Sequence, residues 1–115
     1  MITRFEKGPR MSQAVVHGNT VYIAGQVASN GKASIEDQTR DVLAKIENLL
    51  KQAGTDKSKI LAINVFLPNI VDFDAMNSVY DAWVDKDNPP ARACVEARLA
   101  APDLRVEMTA VAALD

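Results

Sequence analysis

A chain of 115 residues, 48% hydrophobic and 24% charged, is sized for one domain around one core, residues 1–115 together. Its net charge of −2 gives no electrostatic footprint for nucleic acid or an anionic lipid surface. No apolar run reaches the roughly 18–20 residues that span a bilayer, residues 1–6 lack the apolar stretch of a secretory signal, and the single cysteine, Cys94, excludes an internal disulfide or zinc knuckle, so the expected location is the cytoplasm.

The chain opens with a short extended piece over residues 2–6 and a Gly8-Pro9 break. Residues 12–17 and 20–27 read as strands joined by a turn at His17-Gly18-Asn19. Strict alternation in the second places Val21, Ile23, Gly25 and Val27 on one face and Tyr22, Ala24 and Gln26 on the other. Asn30-Gly31-Lys32 marks a turn. Ser34 reads as a helix N-cap with Asp37 at the capping-box position, where Glu or Gln is the better partner. Ile35, Val42, Leu43, Ile46, Leu49, Leu50 and Ala53 follow with a period near 3.6, and Gly54 stands where a helix C′ glycine belongs.

Residues 60–67 form a β-rich run closed by Pro68. Asp72 is placed to cap a second helix with Phe73, Met76, Tyr80, Trp83 and Val84 on one face, ended by Asn88-Pro89-Pro90. Residues 91–99 and 104–114 read as the last two strands, split by Ala101-Pro102-Asp103. The order β-β-β-α-β-α-β-β predicts an α+β fold: one mixed sheet with both helices packed on one face. The last two strands carry small or apolar residues on both faces. A second apolar face in so small a chain predicts that the open side of the sheet packs on other subunits; the alternative is a small sheet with tolerated surface apolars.

Four features of the chain bear on chemistry: Arg92 with Glu107, Asn77, Cys94 and Gly25. Alternation puts Arg92 and Cys94 on one face of their strand and sets Glu107 beside Thr109 on one face of the next. If those strands lie near one another, a guanidinium that forks onto a carboxylate and a carboxylate that holds water face one pocket. Pattern alone favours the plainer alternative, a salt bridge or two solvated charges. Asn77, polar on an apolar helix face, marks either a polar cavity or a side chain capping a backbone group. Cys94, flanked by Ala93 and Val95 with the only histidine far off in sequence, reads as an inert core thiol, and His17 as a solvated turn residue. No glycine pattern forms a phosphate cradle; Gly25, inside a strand, marks a close backbone approach of the kind a ligand makes.

Pro90-Ala91-Arg92-Ala93-Cys94-Val95, followed by Val106-Glu107-Met108, resembles the C-terminal signature of the RidA/YjgF family of reactive-intermediate deaminases. Ser12-Gln13-Ala14-Val15, Gly18-Asn19, Ala24-Gly25-Gln26 and the segment from Asp72 to Asn77 with Tyr80 fit the same family in the same order. The resemblance implies a chorismate-mutase-like fold, a homotrimer whose sheets form a central barrel, and active sites between neighbouring subunits. It implies hydrolysis of 2-imino (enamine) acids to 2-keto acids and ammonia without a cofactor or metal. Arg92 would bind the substrate carboxylate and Glu107 would position the water. Gly25 and Cys94 would approach the ligand through their backbones, and Asn77 would line the pocket.

Two positions depart from the best-known members. Met11 and Ala24 stand where those carry a tyrosine and a serine, which implies a more apolar pocket, a shifted substrate preference and likeness to a shorter branch of the family. Two other functions are open at this stage. One is a trimer that binds small carboxylates or keto acids without turnover. The other is a ribonuclease or translation inhibitor, which the acidic balance and the lack of a basic stripe oppose.

Overall fold

A computed structural model describes residues 1–115. Six strands and two helices follow in chain order: β1 (Ile2–Phe5), β2 (Ala14–His17), β3 (Thr20–Val27), α1 (Ile35–Ala53), β4 (Ile60–Leu67), α2 (Phe73–Trp83), β5 (Ala91–Glu96) and β6 (Glu107–Ala113). Single 3₁₀ turns precede β4 and α2. The strands form one mixed sheet in the order β1-β2-β3-β6-β4-β5, all neighbours antiparallel except β4 and β5. Both helices cover one face, giving a two-layer molecule of 41 × 38 × 19 Å. The α+β fold with two helices on one face is as expected. No helix is long and apolar enough to cross a membrane.

The helix layer is built by the stripe read from sequence. Leu43, Ile46 and Leu50 of α1 share one buried core with Ile63, Val65 and Leu67 of β4 and Met108 of β6, each contributing about 1.5–3 kcal/mol. Ser34 Oγ accepts from Asp37 N at 3.1 Å. The Asp37 carboxylate turns to Arg40 Nη1 at 2.7 Å instead of reaching back to the cap, being one methylene too short for a full box. Gly54 ends α1 at φ +93°, its N–H bonding back into the last turn. Asp72 is not a side-chain cap of α2; its carboxylate pairs with Arg105 Nη2 at 3.0 Å, while Asn69 caps the preceding turn. Val84 is the extended residue after α2 rather than part of its face.

Strands are shorter than their apolar runs. β2 begins at Ala14, β5 ends at Glu96 and β6 begins at Glu107, because residues 97–106 turn away to carry the chain past β4 to the slot between β3 and β4. The alternation predicted for β3 fails at one point. Ile23 pairs with Ala110 but Gln26 with Met108, so three steps on β3 oppose two on β6. This bulge places Gln26 with Val21 and Ile23 on the helix face, and Val27 on the opposite one.

The sheet face away from the helices carries Val15, Tyr22, Val27, Ala62, Phe66, Val95 and Val111, none of them fully buried and no helix over them. The expected second apolar face is therefore present on the protomer.

Candidate active site

The first cluster forms where β5 meets α2. Asn88-Pro89-Pro90 ends the helical region, and parallel pairing with β4 sets Arg92 opposite Ile63, Cys94 opposite Val65 and Glu96 opposite Leu67. Those β4 partners point into the core, so Arg92, Cys94 and Glu96 project to the helix side. There α2 presents Phe73, Asn77 and Tyr80, spaced i, i+4, i+7 along one stripe.

Arg92 Nη1 donates to Asn77 Oδ1 at 2.7 Å. Its guanidinium carbon lies 4.6 Å from the Tyr80 ring centre and 5.9 Å from that of Phe73, close enough for cation–π attraction. A guanidinium carries five N–H donors, and Arg92 enters no ion pair. The fork is therefore aimed by neutral groups and its remaining donors are open at an exposed edge strand.

Burial pushes the Tyr80 phenol above its usual range, with Arg92 drawing it down and Asp81 adding to the rise. Burial likewise raises the Cys94 thiol, Arg92 opposing it less strongly. Cys94 is thus protonated at neutral pH, as an inert thiol should be. Asn77 caps no backbone group; its side-chain oxygen accepts from Arg92.

The second cluster forms at the bulge. Glu107 pairs with Val27 on one side and Phe66 on the other and projects, with Thr109 and Val111, from the face opposite the helices. Ala24 and Gly25 occupy the bulge beside it. A Cβ built at Gly25 would lie 1.9 Å from Glu107 Oε2 and 2.9 Å from its Cδ, so the carboxylate rests directly on the glycine. The close approach read at Gly25 is real, and within the chain it is to Glu107. Glu107 is half-buried and in no ion pair. Ala24 N donates to Gln13 O at 2.9 Å, tying the bulge to the loop that holds Met11, whose side chain is 46% exposed.

Met11, Ala24, Gly25 and Glu107 thus gather at one end of the sheet and Arg92, Cys94 and Asn77 at another. Arg92 and Glu107 do not share a pocket within one chain. β4 lies between their strands, and they project from opposite faces. Of the two plainer alternatives, the salt bridge is absent for the same reason, and both charges stand without an ion pair. Sequence reading passed over Phe73 and Tyr80 as partners of Arg92, taking them for core; their spacing with Asn77 was the available signal. It also passed over Gln26, because the bulge that turns it inward breaks the period used to place it.

The sequence profile described as endoribonuclease L-PSP matches residues 1–114. A RutC family protein of Haemophilus ducreyi is 40% identical over 115 residues, covering 100% of this chain and 98% of that one. The RutC family protein YoaB of Escherichia coli is 41% identical over 113 residues, 98% of each. The crystal structure of a YjgF family member from Neisseria meningitidis superposes with a TM-score of 0.97 at 42% identity, covering 100% of this chain and 96% of that one.

Proposed function

The chain belongs to the endoribonuclease L-PSP family, whose relatives here carry the RutC and YjgF names, and from that we propose that it hydrolyses small 2-imino (enamine) acids to 2-keto acids and ammonia in sites completed between the subunits of a homotrimer. One observation carries this reading. The chain holds two prepared half-sites, an aimed guanidinium and an unpaired carboxylate, on opposite faces of its sheet. A second copy that sets its Arg92 edge against the open face of the first brings one of each together.

In such a site the free donors of Arg92 fork onto the substrate carboxylate. Glu107 holds a water and takes its proton as the water oxygen bonds to C2 of the protonated imine. Glu107 then returns that proton to the nitrogen of the carbinolamine; the C–N bond breaks, ammonia leaves, and C2=O forms as the hydroxyl gives its proton back to Glu107. The imine is already electrophilic, so orientation and one base, worth about 10²–10⁴-fold, are enough. The backbones of Gly25 and Cys94 border the ligand. Met11 and Ala24 bring no hydroxyl, which favours substrates with small or apolar side chains.

The test generates imines in situ with an amino-acid oxidase and follows their loss. Wild-type protein should speed it. Arg92→Ala should abolish the effect with the trimer intact, and Asn77→Ala should raise KM more than it lowers kcat. No acceleration by wild type across small and apolar amino acids overturns the reading. The absent hydroxyls favour a second reading, a trimer that binds small keto acids without turnover, which an Arg92-dependent rise in melting temperature with no imine loss would select. The ribonuclease activity in the family's description has the net charge of −2 against it.

A further inference from the structure

We propose that Gln26 is a positioning residue that sets the Glu107 carboxylate by closing the β3 bulge from behind. Gln26 is only 7% exposed and lies on the helix side, opposite Met108. Its Nε2 donates to Ala24 O at 3.1 Å, across the bulge, and to Gln13 Oε1 at 2.9 Å. The backbone of Gln13 in turn accepts from Ala24 N, and its own N–H donates to Phe5 O at 3.1 Å. One buried amide therefore donates a hydrogen bond to a bulge carbonyl and ties the bulge to the loop from β1 to β2.

The consequence is transmitted through Gly25. That residue is fixed between Ala24, bonded on both its N–H and its C=O, and Gln26, anchored in the core. Glu107 Oε2 and Cδ lie where a Gly25 side chain would be, so any shift of the Gly25 backbone toward the open face must move the carboxylate. The helix side of Gly25 opens instead onto a polar cavity of about 330 Å³, lined also by Glu6, Gln13, Gln26, Lys45 and Asn48. Gly25 is thus tightly limited on the Glu107 side and loosely packed on the other, and the Gln26 amide is what holds it in place. A methionine fits the same volume but donates nothing to Ala24 O or to Gln13 Oε1, so the bulge loses its side-chain tie.

This inference rests on the water-positioning role given to Glu107, and two readouts separate the two claims. In the imine-loss assay Gln26→Met should lower kcat by about ten- to a hundredfold, as a misplaced base would, with KM changed by less than about threefold because the Arg92 half-site is untouched. Independently of turnover, the ¹³Cδ resonance of Glu107 in glutamate-labelled protein should shift in Gln26→Met. It should not do so in Val42→Ala, a core change distant from the bulge. Gln13→Leu, which removes the acceptor that orients the amide, should act in the same direction and serves if Gln26→Met does not fold. An unmoved Glu107 resonance in both variants, or a wild-type kcat in both, overturns the inference. A moved resonance in a protein that hydrolyses no imine upholds the positioning of Glu107 and sinks the deaminase reading alone.

Discussion

Arg92 is held without a counter-charge. Its partners are an amide and two aromatic rings, and that choice leaves its charge for something outside the chain. A carboxylate partner would have fixed the side chain as well but neutralised it, and lysine could not replace it, because an ammonium has no planar fork to match a substrate carboxylate. Cys94, two residues on, shows how environment decides reactivity. Burial holds its thiol above the usual range despite the nearby guanidinium, so the nucleophilic thiolate is scarce at neutral pH and grows only as pH rises past that elevated value. Iodoacetamide should accordingly modify Cys94 more slowly than free cysteine at pH 7, the rate rising through alkaline pH. Cys94→Ala should keep imine-hydrolysing activity, since the backbone it offers is unchanged. Fast alkylation at pH 7 would contradict the burial argument.

α1 is punctuated at both ends by local chemistry and α2 by tertiary contacts. Ser34 caps the first turn of α1 and Gly54 closes it in the left-handed region. Ser34→Ala should cost about 1 kcal/mol in urea unfolding, and Gly54→Ala about 1–2 kcal/mol, because a Cβ is strained at φ +93°. Losses near zero would show that tertiary packing holds these ends by itself. α2 has no side-chain cap; the residue expected to supply one, Asp72, is engaged by Arg105 from the loop between β5 and β6. That ion pair anchors the loop beside the strand that carries Glu107. The bulge in β3 is the corresponding device in the sheet, trading one residue of register for a glycine under the carboxylate.

The molecule is two layers thick and finished on one side only. Its helix face buries a core of 20 residues, while the opposite sheet face leaves valines, a tyrosine and a phenylalanine half-covered or exposed. β5, the strand bearing Arg92, is also a free edge. An apolar face and a free edge on one small protein are what a subunit partner would cover, and the proposed trimer would do both while joining the half-sites. Val111→Lys, on the central strand β6 and facing away from the helices, should preserve the protomer fold by circular dichroism, convert the trimer to monomer in light scattering, and remove imine hydrolysis together with assembly. A Val111→Lys trimer, or a wild-type monomer, would refute that role for the open face.

The element order, both caps of α1 and the apolar second face were all readable from residues 1–115, since periodicity, Ser34, Gly54 and the small residues of β5 and β6 act through neighbours close in sequence. Arg92 and Glu107 were also legible as candidate site residues, through the family resemblance rather than through pattern alone. Their arrangement was not. Whether two strands are adjacent depends on which slot the chain takes in the sheet, and β6 enters between β3 and β4 rather than beside β5. A one-residue bulge then reverses the face of Gln26. Strand order and register come from long-range packing, in which the helices and the central strands bury their apolar sides in one core, and that packing sets the two charges on opposite faces of one sheet.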